Sequence, residues 1–407
     1  MLNNWENVIL HADADCFYAS CEVLKDSTLK NQPLIVVSSI GGITLARSYE
    51  AKPFGIKTGT PHWEAKKLCP EIKIKLVDFN FYANISEKIN LIFKDLSPVV
   101  EKYSIDESFI DLSSSTKCRD KTFEEIASNL RYRIKNDVGI NVSVGIAQAR
   151  ILAKIASDYN KPDGFKVVYP FEIKAFLETV NVENICGIGR NRKILLNELG
   201  INTAYDFYKL SEKQVYNFLG KIGVEIWLEL HGNSIYCVSA KQVLPKGIMR
   251  SQSFTKLSKD RDFLWSKIVR HCEEVSDKLC KMNLLAGGVY IFFRTKNFEH
   301  IGDKIIFSRS TCEFKTLVSN CKYLFNKVYK NKIMYRSAGV GAIRIISKEE
   351  QQLDLFNRFE DDFRSNSLAF AKRELRHKFG DTIISPAVLG GSHYIHKELN
   401  TSKIKLV

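Results

Sequence analysis

The sequence predicts an α+β fold spread over several domains. Three observations carry that expectation. The chain of 407 residues exceeds one ordinary domain, so about three or four modules are expected. Strand-like and helix-like segments alternate twice, once before residue 168 and again after residue 250. Between two amphipathic helices of the first series lies a hairpin, Val99 to Leu112, with the acid pair Asp106 and Glu107 at its tip. Adjacent carboxylates repel unless something positive sits between them, and a divalent cation with oxygen ligands is the usual solution. Alone, such a pair is far more often a solvated acidic turn.

Val8 to Asp13 is an apolar run ending in an acid. It reads as a buried strand whose C-terminal end delivers Asp13 to a crevice. Asp15 stands where it would cap the following helix. Residues 19–78 read as a small mixed insert, with strands at Leu34 to Val37 and Ile43 to Ala46 around Gly41 and Gly42. Arg47 to Gly59 mixes bases, Tyr49 and glycines, a composition suited to phosphate and also to an exposed loop. Tyr82, Ile85, Ile89, Ile92 and Phe93 recur at helical spacing, as do Phe123, Ile126, Leu130 and Ile134. With the strand Asn141 to Ala147, the order strand, helix, hairpin, helix, strand describes a sheet with its helices on one face. Such a sheet sets the end of the first strand beside the hairpin tip, so Asp13 joins Asp106 and Glu107 as a third carboxylate. Lys154 and the turn Lys161 to Gly164 follow.

Ile185 to Gly189, then Leu195 to Ile201, has the form of a helix-hairpin-helix. Gly187 and Gly189 would expose backbone N–H groups to a DNA phosphate. Residues 241–249 read as a basic linker. The second series has strands near 250–255, 286–294, 304–314 and 336–346, with helices near 264–281 and 316–329. Arg250, Lys256, Arg294, Lys296, Arg309, Arg336 and Arg344 punctuate it, as expected for a sheet lying on a phosphate backbone. Gln352, Leu353, Leu355 and Phe356 form a short segment suited to anchoring in a partner's pocket.

The net charge of +14 favours a polyanionic partner, nucleic acid ahead of a membrane surface. No apolar run approaches a membrane span, and Met1 to Glu6 lacks the features of a signal peptide, so a cytoplasmic location is expected. The 10 cysteines are scattered, with no Cys-x-x-Cys and no paired histidines, which speaks against a zinc site or a disulfide framework.

Together these stretches resemble the Y-family translesion DNA polymerases, the group of bacterial DNA polymerase IV (DinB) and UmuC. The matching residues are His11 to Ala19, Ser48 to Pro61, Ser104 to Ser108 and Leu152 to Gly164, with the Gly187–Ile188–Gly189 turn and Gln352 to Phe356, in family order. The resemblance implies a right-handed polymerase. Its palm would span 1–18 and 79–168, its fingers 19–78 and its helical thumb 169–240. The linker 241–249, a little finger at 250–348 and a tail at 349–407 would follow. Asp13, Asp106 and Glu107 would be the catalytic, metal-binding carboxylates, with the Ala14 carbonyl beside them. They would hold two Mg²⁺ ions roughly 3.5–4 Å apart. Phe17 and Tyr18 would present backbone N–H groups to the dNTP, Tyr18 would exclude a ribose 2′-hydroxyl, and Tyr49, Lys52 and Lys161 would bind the triphosphate. Gly187, Gly189, Arg250 and Arg336 would meet DNA, and Gln352, Leu353, Leu355 and Phe356 would bind the sliding clamp (β subunit). A monomer is expected.

Three departures stand out. Lys52 replaces the arginine usual in DinB relatives, keeping charge but losing the bidentate fork. Ala46 replaces a frequent threonine, and Tyr335 to Val340 looks UmuC-like. The rival readings are a non-catalytic accessory subunit acting as a DNA and clamp scaffold, and a nucleotidyl cyclase on a similar palm. The first would be expected to lose carboxylates. The second needs no DNA-binding turn, linker or clamp peptide.

Overall fold

A computed structural model describes residues 5–350 apart from Ile40, Ser114, Arg119, Gln242 and Val243, together with Ala371, Glu374, Leu375, Lys378 and Phe379. The clamp segment Gln352 to Phe356 lies outside the described residues. Two compact units divide the chain, Met1–Gln242 and Val243–Val407.

The first unit is built on a five-stranded sheet. In chain order its elements are β1 (Ile9–Ala14), α1 (Phe17–Lys25), β2 (Leu34–Val37), β3 (Thr44–Arg47), α2 (His62–Leu68), β4 (Lys73–Leu76), α3 (Phe79–Leu96), β5 (Val100–Lys102), β6 (Glu107–Asp111), α4 (Phe123–Val138), β7 (Val142–Ala147), α5 (Arg150–Tyr159) and β8 (Phe165–Val167). The sheet order is β5-β6-β1-β7-β8, which puts β1 at the centre between β6 and β7. The insert after α1 forms its own sheet, β3-β2-β4, over a small core of Ile35, Val37, Ile56 and Ala65.

Period-2 alternation sends the residues of β1 to two faces. Leu10, Ala12 and Ala14 join Tyr82, Ile89 and Phe93 of α3 and Ile126 and Leu130 of α4 in one core. Ile9 joins Phe109, Ala147 and Leu152 and Ile155 of α5 in another. The one-faced arrangement expected from the sequence is therefore corrected: α5 covers the opposite face from α3 and α4. Gly145 permits the approach, because a Cβ there would lie 2.0 Å from the Ala153 carbonyl oxygen.

The second core continues into α6 (Ile173–Glu178), α7 (Arg190–Glu198), α8 (Ala204–Tyr208) and α9 (Glu212–Leu230) through Phe176, Leu177, Leu196, Phe207 and Leu230. A fully buried acid fastens these helices to α5. The Glu229 carboxylate accepts from the Ile151 N–H in the first turn of α5 (3.0 Å) and from the N–H groups of Ile235 and Tyr236 (2.8 Å each). Burial lifts its pKa above the ordinary glutamate value, although the three donors favour the anion. Glu229→Ala strands all three N–H groups and is expected to cost about 3 kcal/mol or more in urea unfolding. A loss under about 1 kcal/mol would remove this carboxylate from the account. Nearby, Arg150 grips Glu101 with two bonds of 2.9 and 3.0 Å, and Glu101 also accepts from the Ser239 N–H. The segment just before the basic linker is thus fastened to the sheet.

The second unit is an antiparallel sheet, ordered β11-β10-β12-β9. Its elements are β9 (Gly247–Ser258), α10 (Arg261–Lys281), β10 (Leu284–Thr295), β11 (His300–Thr311), α11 (Phe314–Val328) and β12 (Tyr335–Ser347). Val289, Ile291 and Phe293 face the core with Leu264, Ile268 and Phe325 of the two helices. Tyr290, Phe292 and Arg294 take the opposite face, where Phe292 lies against Gly339 and Tyr290 against Gly341. Register settles where the basic residues stand. Arg250 is opposite Val340, on the helix side of the edge strand, whereas Arg294 and Lys304 flank the open face. Arg336 stacks on Phe298, 4.3 Å from the ring centre. Arg250 does not stud the open face, as the expectation of a sheet on DNA had it.

Candidate active site

Strand register builds the site. β1 and β6 run antiparallel with Asp13 directly opposite Glu107. Asp106 lies one residue before β6, and its carbonyl accepts the Ala14 N–H at 2.9 Å. Ser104 organises the tip: its hydroxyl donates to the Asp106 carboxylate and accepts the N–H groups of Asp106 and Glu107 at 3.2 and 3.1 Å. Asp13 and Glu107 therefore stand side by side at the joined ends of two strands, with the Asp106 and Ala14 backbones bonded next to them. Asp13 and His11 share the α5 side of β1. His11 is buried against Ser157 (2.7 Å), and burial with Lys154, Lys161 and Arg150 keeps it neutral.

Two lysines face the acids. Lys154, on α5, contacts Glu107 at 2.6 Å. Lys161 contacts Asp13 at 2.8 Å and Asp158 at 2.7 Å. Burial lifts the Asp13 carboxyl to about 7, Lys161 opposes the rise and Glu107 adds to it. Burial also works against the Lys161 ammonium, but Asp13 and Asp158 outweigh it, and its pKa lies above the ordinary lysine value. The contact length is that of an ion pair, so geometry favours the charged form of both partners.

Among the described residues no three His, Cys, Asp or Glu side chains converge as a finished cation site. The donor chemistry still fits a hard divalent ion: three carboxylates and a backbone carbonyl, with no thiol or imidazole. Burial, and to a lesser extent Glu107, disfavours the charged form of Asp13, and a bound cation would offset that cost.

Beside the acids, α1 begins at Phe17 with Cys16 as its N-cap residue, and Cys16 makes no side-chain cap hydrogen bond. Asp15 is not the cap expected from the sequence. It is 4% exposed and accepts from the Tyr49 hydroxyl (3.2 Å), the Ser143 hydroxyl (2.9 Å) and the Asp163 N–H (2.7 Å). Phe17 is core. Tyr18 is only half buried, stacked on Tyr82 at 4.7 Å and edge-on to Phe79. Burial and then the Asp106 carboxylate hold the Tyr18 phenol above the ordinary tyrosine value. Lys52 lies 3.5 Å over the Tyr49 ring. Burial, then Asp15, raises the Tyr49 phenol as well.

Further along the first unit, Gly187 takes φ +98° and packs under Ile226, while Gly189 is the N-cap of α7. Arg192 donates back to the Gly187 carbonyl at 2.7 Å. Sequence reasoning missed the Asp15 contacts and gave Lys154 no partner. Their partners lie 34 to 148 residues away for Asp15 and 47 away for Lys154, so no local pattern signals them.

The impB/mucB/samB family model matches residues 12–158, and the model of that family's C-terminal domain matches residues 245–355. A DNA polymerase IV of Desulfatibacillum aliphaticivorans is 30% identical over 94% of this chain and 97% of its own. One from Clostridium perfringens is 30% identical over 85% and 97%. The chain belongs to the Y-family of translesion DNA polymerases. As a member it is a DNA-directed DNA polymerase of the DinB-like group, and polymerases of this family are metal-dependent. Among solved structures, a Y-family polymerase chimera of Dbh and Dpo4 matches with a TM-score of 0.74 at 24% identity, covering 84% of this chain and 99% of its own. An insertion ternary complex of Dbh polymerase matches with a TM-score of 0.57 at 23% identity. Both share the fold of the Y-family polymerase. No described helix is long and apolar enough to cross a membrane.

Proposed function

We propose that this polymerase adds dNTPs to a primer 3′-hydroxyl through a site made of Asp13, Asp106 and Glu107, with the Ala14 carbonyl as a further ligand for two Mg²⁺ ions. The observation that carries the reading is the strand register, Asp13 against Glu107 with Asp106 beside them. When bound, such ions activate the primer hydroxyl and neutralise the departing pyrophosphate. The chain's own residues supply positioning and charge. Lys161 and Lys52 neutralise the triphosphate, the Tyr49 ring seats Lys52 beside it, and the uncapped first turn of α1 offers the Phe17 and Tyr18 N–H groups. The Tyr18 ring lies under the sugar. The helix-hairpin-helix glycines and the open sheet face with Arg294 and Lys304 hold the DNA backbone.

Extension of a labelled primer on a template tests the reading. Extension with Mg²⁺ and none after chelation is expected. An accessory scaffold gives no extension in either condition, and a cyclase consumes nucleotide without primer or template. The bacterial relatives named DNA polymerase IV support a cytoplasmic enzyme. The Gln352, Leu353, Leu355 and Phe356 segment is assigned to the sliding clamp on its sequence alone. Deleting Gln352 to Phe356 is expected to leave distributive synthesis intact and to remove stimulation by the clamp; stimulation that persists refutes the assignment.

A further inference from the structure

Asp15 is not one of the three carboxylates at the strand ends. It stands two residues beyond Asp13 and is almost wholly enclosed. Its three donors come from three separate parts of the first unit. Tyr49 follows β3 in the insert, Ser143 is on β7, and Asp163 belongs to the turn that carries Lys161. The backbone of Asp15 is fixed as well, since its N–H donates to the Asn141 carbonyl (3.0 Å) and its carbonyl accepts the Ser20 hydroxyl (2.6 Å).

The turn is held from its other side. Arg131 and Lys135, both on α4, each contact the Asp163 carboxylate at 2.8 Å. Asp163 has φ +50°, a left-handed conformation that a residue with a side chain adopts only when its surroundings hold it. Its N–H is thereby delivered to Asp15. All three groups reaching Asp15 arrive as donors. An ionised carboxylate accepts on both oxygens, whereas an amide would turn an NH₂ group toward at least one of them.

We infer that Asp15 is a positioning residue for the incoming nucleotide: one buried carboxylate sets the Tyr49 ring, with Lys52 seated on it, and the Lys161 turn at a fixed spacing, so that the insert and the palm close on the triphosphate as one receptor. The inference rests on the proposed phosphate-binding roles of Lys161 and of Lys52, which the Tyr49 ring seats. Asp15 touches neither the reacting atoms nor the phosphates. Its loss should weaken nucleotide binding more than it slows the bound complex.

Single-turnover incorporation on a primer–template with Mg²⁺ and varied dNTP separates those quantities. Asp15→Asn is expected to raise the apparent nucleotide Kd about tenfold, with the maximal rate within about threefold of wild type. The Kd for primer–template should not move. In a Tyr49→Phe background the same substitution should cost clearly less, because the two act through one hydrogen bond. A folded Asp15→Asn with the wild-type nucleotide Kd, a loss confined to the maximal rate, or strict additivity with Tyr49→Phe overturns the inference. Should Asp15→Asn not fold, Ser143→Ala removes one donor from the same carboxylate and is expected to weaken nucleotide about two- to threefold. An unchanged value there overturns it too. A wild-type chain that fails to extend the primer overturns the polymerase site itself, an outcome distinct from any of these.

Discussion

Asp106→Ala is expected to abolish primer extension while leaving primer–template binding within about twofold of wild type. The backbone bonds at Asp106 do not run through its own side chain, which only receives the Ser104 hydroxyl. The Asp106 carbonyl holds the Ala14 N–H, and Ser104 holds the N–H groups of Asp106 and Glu107. Removing the carboxylate therefore deletes a charge and leaves the tip in place. The lost function is chemical: an anion aimed where positive charge must gather for phosphoryl transfer. A fall in single-turnover rate of more than about a thousandfold, on the order of 4 kcal/mol in the barrier, is the expected size. Thermal unfolding should confirm that the fold survives. Extension within about tenfold of wild type would separate Asp106 from the reaction.

Tyr18→Ala should admit ribonucleotides. The ring is backed by Tyr82, which is fully buried and donates to Glu22 at 2.7 Å, and by Phe79 at its edge. A ring held on that platform would not swing aside for a 2′-hydroxyl, so the proposed rejection of ribose is steric. Preference for dNTP over rNTP, measured as the ratio of incorporation efficiencies, should fall about a hundredfold in Tyr18→Ala. Tyr18→Phe keeps the ring and should keep most of the preference. Unchanged sugar discrimination in Tyr18→Ala would move the gate elsewhere.

Much of this architecture is written locally. The spacing of Tyr82, Ile85, Ile89 and Phe93 marks α3, and the acid pair between two apolar runs marks the β5–β6 hairpin. What local pattern does not carry is the second face of the sheet. Because β1 is buried on both sides, its sequence, Ile-Leu-His-Ala-Asp-Ala, shows no clean alternation, and α5 has no visible seat. Asp15 fails for a related reason. An acid just before a helix is a cap by default, and only donors far along the chain turn it inward. Arg250 shows the limit of composition: its sign was right for DNA, but register placed it on the helix side of an edge strand. The juxtaposition of Asp13 and Glu107 was legible because it follows from strand pairing alone.

The central claim is that Asp13, Asp106 and Glu107 hold the metal ions of this polymerase, and counting bound Mn²⁺ by electron paramagnetic resonance, with primer–template and dNTP present, tests it most directly. The account predicts two ions per wild-type chain and loss of at least one in Asp13→Asn and in Asp106→Asn, with primer–template still bound. Wild-type stoichiometry and affinity in both variants would contradict it.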